Sequence, residues 1–150
     1  MMVDTIKIDG LDQFVRNLKK LDADLPKTLR VGLNAAAQII VDYSKPRVPH
    51  RSGRAAKSIR ASSTRSMVRV SEGGARAPYM PWLDFGGTIG KRSAKRRKAE
   101  GGSGRTTSKR PFLKEGRFLY AGLAAERDKI HAAVETALLE AAAGAGIEVD

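Results

Sequence analysis

Few side chains in this sequence are of the kinds that bind metal ions or form covalent intermediates. The chain contains two His and no Cys, and His50 and His131 lie far apart with no carboxylate at ligand spacing. Because a zinc-type site needs three or four such ligands held together, we expect no metal site. The absence of Cys also excludes a disulfide scaffold, a zinc finger and a thiol nucleophile.

The stretch from Gly86 to Ser93 is similar to a phosphate-binding loop but lacks two residues that define this motif. Phe85 stands where the motif needs its first Gly, and Arg92 stands where it needs Ser or Thr after Lys91. No Gly-x-Ser-x-Gly elbow and no pair of carboxylates stands out. Asp84 is the single acid in an otherwise apolar stretch, where we expect it to cap a turn or form an ion pair. We therefore expect a protein that is not an enzyme and needs no cofactor.

Positive charge is concentrated in one segment. The 150 residues carry a formal net charge of +12, and residues 91–110 contribute nine basic side chains against one acid, Glu100. The basic residues of this segment are Lys91, Arg92, Lys95, Arg96, Arg97, Lys98, Arg105, Lys109 and Arg110. The rest of the chain is nearly balanced, with 19 basic and 15 acidic side chains.

The basic segment has two interpretations. Residues 87–110 are rich in Gly, Ser, Lys and Arg and almost free of large apolar side chains, which predicts a mobile loop. Such a loop either is merely solvated or contacts phosphates without reading sequence. No aromatic residue is interleaved with its charges, which argues against stacking on single-stranded bases.

The length predicts one domain over residues 1–150, with the basic loop inserted at about 87–110. The beginning of the chain shows no basic segment followed by an apolar one, so we expect no secretory signal. No apolar run approaches the roughly 18 residues that span a bilayer. We expect a soluble protein made in a cytosol that contacts no membrane.

Helices are predicted at both ends of the domain. Leu11, Phe14, Val15, Leu18 and Leu21 form one apolar stripe at helical spacing, and Asp9 could cap its start. A second helix should begin near Asp24-Leu25-Pro26 and end by Ser44, because Pro46 disfavours its continuation. A last helix over about 123–143 would place Ile130, Val134, Ala137, Leu138 and Ala141 on one face.

Short strands and turns are predicted between the helices. Residues 3–8 suit a short strand, and residues 46–58 read as a turn-rich connection. Alternation at Ile59 and Ala61, and again at Val68 and Val70, predicts an antiparallel hairpin. The fold class is α+β: two N-terminal helices and a C-terminal helix packed on a small antiparallel sheet, with a long mobile basic loop.

Five sequence pieces, taken in order, resemble a family of tailed-bacteriophage neck proteins, which carry head–tail joining, tail-completion or minor tail component labels. Residues 10–18 resemble an opening Gly-Leu-x-x-Leu helix, and an Ala-rich helix follows at 34–43. Residues 48–59 are similar to Val-Pro-x-x-Thr/Ser-Gly-x-Leu-x-x-Ser-Ile, and residues 79–86 to the start of Tyr-Ala-x-x-Leu-Glu-Phe-Gly-Thr. Residues 110–112 match Arg-Pro-Phe. The resemblance spans roughly residues 6–140.

The signature residues are expected to maintain the fold, since buried apolar positions usually concern packing. They are Val48, Pro49, Ser52, Gly53, Ser58, Ile59, Tyr79, Leu83, Asp84, Phe85, Gly86, Arg110, Pro111 and Phe112. Gly53 is expected at a positive φ or a close backbone approach, and Ser52 and Ser58 as caps. Tyr79, Trp82, Phe85 and Phe112 are predicted to form the aromatic core.

Three features depart from the family pattern. Ala55 or Ala56 stands where Leu is usual, and Asp84 replaces a Glu. The link between Gly86 and Arg110 is longer and more basic than is typical of the family. The candidate contact residues for a partner or DNA are Lys91, Arg92, Lys95, Arg96, Arg97, Lys98, Arg105 and Lys109.

The resemblance implies a structural virion protein of the neck, made in the bacterial cytoplasm and joining the head connector to the tail. It implies a homo-oligomeric ring of six or twelve copies around the DNA passage. Implied neighbours are head-completion or stopper proteins and tail-terminator or tail-tube proteins, with non-specific DNA contact as a further possibility. Two alternatives stay open: a tail-completion or tail-terminator-like minor tail protein, and a small basic nucleic-acid-binding protein.

Overall fold

A computed structural model describes residues 8–64, 67–90 and 108–147. Residues 3–7 of the predicted strand and residues 91–107 of the basic segment fall outside these ranges. The described helices are α1 (Leu11–Leu21), α2 (Leu25–Ser44), α3 (Arg54–Ser58), α4 (Met80–Phe85), α5 (Leu119–Ala125) and α6 (Arg127–Gly144), with a 3₁₀ turn at Lys45–Arg47. The strands are β1 (Arg60–Ser63), β2 (Val68–Ser71), β3 (Gly87–Ile89) and β4 (Ser108–Arg110). This confirms the predicted α+β class.

Helix α2 runs along the whole molecule, and α5 and α6 return beside it in the opposite direction. Small residues bring the helices close: a Cβ built on Gly122 would lie 3.3 Å from Ser44 Oγ, and one on Gly32 would lie 2.6 Å from Ala137 Cβ. A Cβ on Gly144 would lie 2.9 Å from Leu25 Cδ2, at the other end of α2. At 1.5 Å per residue, the 20 residues of α2 separate these ends by roughly 30 Å.

Two apolar clusters occupy the two ends of this helical layer. The first, which we call the α1 core, lies at the start of α2 and consists of Val15, Leu18, Leu29, Leu33, Ala137 and Ala141. The second, the Phe118 core, lies at the end of α2 and consists of Val41, Val48, Ala55, Ala56, Ile59, Ala77, Met80 and Phe118. The predicted stripes of α1 and the last helix supply Val15, Leu18, Ala137 and Ala141 of the α1 core.

Two antiparallel hairpins complete the described fold. In the first, β1 pairs with β2 so that Arg60 faces Ser71 and Ser63 faces Val68, as the alternation predicted. In the second, β3 pairs with β4, with Gly87 opposite Arg110 and Ile89 opposite Ser108. Residues 87–110 were expected to be loop throughout. The ends of that segment instead form a short ladder, which we call the ribbon, because the backbone at both ends is tied to α4.

Several local predictions were wrong. Asp9 does not cap α1: Gly10 occupies the N-cap with a φ of 78°, and its position has no side-chain cap hydrogen bond. The connection at 46–58, predicted to be turns, contains the helix α3. Helix α4 lies in residues 79–86, for which no element was predicted. Both helices are too short to show a period in the sequence.

The last helix begins earlier than expected and has a break. It starts at Leu119 because the carboxylate of Asp84 accepts the backbone N–H groups of Arg117 and Phe118. The backbone leaves helical geometry at Glu126 (φ −106°, ψ 17°), which divides α5 from α6. The predicted face of α6 is confirmed: Ile130, Ala137 and Ala141 are buried.

The predicted aromatic core of Tyr79, Trp82, Phe85 and Phe112 is only partly confirmed, because Tyr79 alone of these four packs against a buried cluster of the described residues. Phe112 is 68% exposed, whereas Phe118, which was not predicted, is 3% exposed and lies at the centre of its core. Phe112 lies on the exposed segment 111–115 that follows β4, whereas the N–H of Phe118 donates to the buried Asp84 carboxylate. Tyr79 and Leu83 pack against the Phe118 core, and Phe85 stacks at a tilt on Tyr120 with ring centroids 5.8 Å apart.

Candidate functional site

The signature residues before β1 surround the start of the Phe118 core. Val48 and Ile59 are buried within it. Gly53 stands at the N-cap of α3 with a φ of 70°, the left-handed conformation expected of it, and Ser52 is exposed one residue earlier. Pro49 is exposed beside the buried Val48. These residues set the entry of the chain into the hairpin.

Ser58 connects α3 to the loop that follows β2. Its hydroxyl donates to the Ala55 carbonyl (2.6 Å) and accepts the Gly73 N–H (3.0 Å). A Cβ on Gly73 would lie 3.2 Å from the Ala77 carbonyl oxygen, and its φ is +81°. The loop between β2 and α4 is therefore fixed on the end of α3 by a side chain fifteen residues earlier in the chain.

Asp84 is the centre of the second signature. Its side chain is fully buried, and Oδ1 accepts the backbone N–H groups of Arg117 and Phe118, the latter at 2.8 Å. The expectation of a cap is confirmed, since these N–H groups precede α5. Gly116 allows the approach, because a Cβ there would lie 2.8 Å from Asp84 Oδ1.

A second carboxyl group lies against Asp84. Glu72, just after β2, is hydrogen-bonded to Asp84, and burial together with the Asp84 charge raises the pKa of Glu72 from 4.5 to about 8. Glu72 Oε2 and Asp84 Oδ2 are buried, and no donor among the described residues reaches either oxygen, so a proton kept by Glu72 is what can join the two groups. At neutral pH Glu72 therefore keeps its proton and donates it to Asp84.

This carboxyl pair was missed in the sequence, where its members lie twelve residues apart on different elements. Acid pairs that share a proton also occur in active sites. Here Asp84 is fully buried and engaged by backbone donors, so its geometry serves to hold α4, the β2 loop and α5 together.

The ribbon is anchored on the same group of residues. Trp82 Nε1 donates to the Gly87 carbonyl (3.1 Å), and the Arg110 guanidinium lies 6.0 Å above the Trp82 ring. The Leu113 N–H donates to the Phe85 carbonyl (2.8 Å). A Cβ on Gly86 would overlap the Pro111 carbonyl, so this position requires Gly. The signatures at residues 79–86 and 110–112, which are separate in the sequence, thus meet at the base of the ribbon.

Arg117 connects the residues that precede β3 with those that follow β4. Its guanidinium donates to the Asp84 carbonyl (2.7 Å) and the Pro111 carbonyl (2.6 Å). Arg117, Gly116 and Phe118 were not predicted as site residues from the sequence. The only available signal was their place just before the last helix, where capping contacts are common.

The candidate contact residues divide between described and undescribed parts of the chain. Lys109 is exposed on β4, and Arg110 is half-buried against Trp82. The other candidates, Lys91, Arg92, Lys95, Arg96, Arg97, Lys98 and Arg105, lie outside the described residues. The ribbon fixes where that segment leaves and re-enters the domain.

Within residues 8–64, 67–90 and 108–147, no group of three or more His, Cys, Asp or Glu side chains is placed to hold a metal ion. None of the helices in these ranges is both long and apolar enough to cross a bilayer.

Comparison with known protein families gives one match. A family model described as "Bacteriophage HK97-gp10, putative tail-component" matches residues 12–105, which is more than half of the chain. The matched region includes the signatures at 48–59 and 79–86, whereas Arg110-Pro111-Phe112 follows it. No curated protein and no solved structure matches the chain.

Proposed function

Because the chain belongs to the HK97-gp10-like family of bacteriophage tail components, we propose that it is a structural protein of the phage neck. In this proposal it has no catalytic role and joins the head connector to the tail as a ring around the DNA passage. Its neighbours are further copies of itself, a head-completion or stopper protein on one side, and a tail-terminator or tail-tube protein on the other.

The observation that carries the proposal is the rigid base of the basic segment. Residues 91–107 lie between β3 and β4 in the sequence. At the outer ends of these strands, residues 84–87 and 110–113 are joined through Trp82, Phe85 and Arg117 by four hydrogen bonds and a cation–π contact. A strongly basic segment on a fixed ribbon is suited to reaching an adjacent acidic surface during assembly. We favour a protein surface, because DNA must slide through a neck and tight phosphate binding would resist this.

The proposal is tested by removing the basic segment without disturbing its base. Ile89 lies opposite Ser108, so residues 90–107 can be replaced by Asn-Gly, a two-residue turn that closes an antiparallel hairpin. We expect the shortened protein to fold with an unchanged thermal midpoint. In the phage that encodes this chain, we expect separate heads and tails in electron micrographs and a large loss of infectious particles.

A charge-matched pair of variants separates charge from length. One variant replaces the seven basic residues of 91–107 by Gln at full length, and its control replaces seven exposed basic residues of the helices by Gln. These are Arg16, Lys19, Lys20, Lys27, Arg30, Lys57 and Arg127. The first should reproduce the joining defect, and the second should not. Normal titres from the excised variant would show that the segment is dispensable, and absence of the protein from purified particles would refute a virion role.

The tail-completion alternative is decided by locating the protein in assembly intermediates. A head–tail joining ring of the neck should be present on DNA-filled heads made without tails. A tail-completion protein should instead be present on tails made without heads. Immunoblotting of the two purified intermediates distinguishes the two roles.

The nucleic-acid alternative is supported by the +12 charge of the chain. It predicts that the isolated protein binds duplex DNA with an affinity that falls steeply as salt rises. Retention of this binding after excision of residues 90–107 would assign it to the folded domain. Failure to bind at moderate salt would leave acidic protein surfaces as the partner of the segment.

A further inference from the structure

Phe112 and Leu113 form an apolar projection, which we call the knob. Phe112 is 68% exposed and Leu113 is 41% exposed. The backbone beneath them is fixed on both sides, because the Pro111 carbonyl accepts from Arg117 and the Leu113 N–H donates to Phe85. An aromatic side chain on a fixed backbone loses little conformational freedom on binding, which is the property of an interface anchor.

An apolar pocket lies at the opposite end of the molecule, between the start of α1 and the end of α6. Its walls include Leu11 and Phe14 from α1 and Leu138, Leu139 and Ala142 from α6, and its volume is about 340 Å³. An apolar cavity of about 150 Å³ is enough to hold benzene. The pocket is open to solvent, and its volume can admit a phenyl ring.

The charges around the knob and the pocket are opposite in sign. Lys109, Arg110 and Lys114 flank the knob along the chain, together with one acid, Glu115. Asp9 lines the pocket, Asp12 follows Leu11, and Glu135 lies one turn before Leu138 and Leu139 on α6. Residues 8–13 and 130–147 contain no Lys or Arg. An interface that paired the two surfaces would thus be electrostatically complementary.

The two surfaces cannot meet within one chain. The pocket borders the α1 core at the start of α2, since Leu11, Phe14 and Leu138 pack on that cluster. The knob adjoins α4 and the Phe118 core at the end of α2. The length of α2, roughly 30 Å, separates these ends.

We propose that the Phe112 knob of one protomer inserts into the α1–α6 pocket of a second copy of this chain. Such a contact joins two different patches, so it is heterologous, and repeated copies either close into a ring or extend as a filament. The ring itself is taken from the proposed function, on which this inference rests. The inference adds the two surfaces that form the contact between neighbouring copies.

Cross-linking tests the contact in the full chain, which contains no Cys of its own. A double variant, Lys114→Cys with Glu135→Cys, places one thiol beside the knob and one beside the pocket. A short bis-maleimide is the cross-linker. Products with the mass of a dimer or more report contacts between protomers, because a link within one chain leaves the mass of a monomer. We expect a ladder of dimers and higher oligomers on a denaturing gel.

Two further substitutions decide whether the ladder depends on the knob. Phe112→Ala in the double variant should remove the ladder, and Met67→Ala, which changes another exposed apolar side chain, should leave it. Without cross-linker, sedimentation should show that Phe112→Ala weakens self-association by on the order of tenfold or more. Circular dichroism checks that each variant is folded, as expected for changes at exposed positions.

The possible results separate this inference from the proposed function. A missing ladder, or one that persists in Phe112→Ala, overturns the knob-and-pocket contact, and the neck role then stands or falls on the location of the protein in particles. A ladder that depends on Phe112, combined with absence of the protein from particles, would keep the contact and refute the neck role. Equal cross-linking from a Lys114→Cys, Arg51→Cys control, which lacks a thiol at the pocket, would show random collision and also overturn the contact.

Discussion

The backbone N–H of Phe118 donates a 2.8 Å hydrogen bond to Oδ1 of Asp84, a residue 34 positions earlier in the chain. The same oxygen accepts the N–H of Arg117. One carboxylate thereby joins the signature at residues 79–86 to the start of α5 and directs Phe118 into the Phe118 core. The basic segment lies between Asp84 and Phe118 in the sequence, so this hydrogen bond joins the parts of the domain that precede and follow the segment.

Loss of the Asp84 carboxylate should therefore destabilise the domain strongly. We expect Asp84→Ala to lower the free energy of unfolding by about 2–4 kcal/mol, because two donors at the start of α5 lose their acceptor. Asp84→Asn keeps an acceptor oxygen and should be milder. Denaturant titration measures both changes, with Asp42→Ala at an exposed position of α2 as the control. A loss below about 0.5 kcal/mol for Asp84→Ala would contradict this role.

The Glu72–Asp84 pair predicts a pH dependence of stability. The pKa of Glu72 is about 8 in the folded protein against 4.5 for an unperturbed Glu. Between these pH values the folded state holds a proton that the unfolded chain has released, so the free energy of unfolding falls as pH rises. Glu72→Gln should remove this decline in stability with rising pH. At pH values above 8 the variant should therefore melt at a higher temperature than the unmodified protein. Melting curves from pH 5 to 9 check it, with Glu135→Gln as control, and equal slopes for Glu72→Gln and the unmodified protein would disprove it.

The close approach of α2 and α6 depends on Gly32. Since a Cβ there would lie 2.6 Å from Ala137 Cβ, we expect Gly32→Ala to destabilise the domain by about 1–3 kcal/mol despite its higher helix propensity. Gly144→Ala is the matched control, because its Cβ would meet only the end of the flexible Leu25 side chain. Adding Ala137→Gly should recover part of the loss in a double-mutant cycle. Strictly additive effects would show that the two positions are not in contact.

Phe112 and Phe118 should behave oppositely when truncated. Phe118→Ala removes a buried ring and should lower the free energy of unfolding by about 3–5 kcal/mol. Phe112→Ala removes an exposed ring and should change it by less than about 0.5 kcal/mol. Chemical denaturation of the two variants gives the comparison. A large loss for Phe112→Ala in the isolated protomer would place that ring in the core after all.

Patterns of residues a few positions apart were sufficient to predict the helices α1 and α2 and the first hairpin. The stripe at Leu11, Val15 and Leu18 predicted α1, and Pro26 and Pro46 bracketed α2 correctly. Alternation predicted the first hairpin with its antiparallel pairing. These features depend on residues a few positions apart, so their physical cause is already present in the local sequence.

The signature motifs led to the phage family, and the match over residues 12–105 confirms it. They did not show which members touch. Arg110 lies over Trp82, and Leu113 is bonded to Phe85, although about 28 residues separate each pair in the chain. Such contacts are fixed by the packing of whole elements, which no local pattern encodes.

The amino-acid sequence by itself determined the α+β class, the principal helices, the first hairpin and the concentration of charge between Gly86 and Arg110. Only the tertiary structure decided that Glu72 meets Asp84, that Phe118 is buried while Phe112 is exposed, and that the ends of the basic segment pair as a ribbon. The reason is physical: burial and pKa depend on neighbours brought together by folding. Two Phe residues six positions apart are chemically identical until a carboxylate from a distant helix fixes the backbone of one of them.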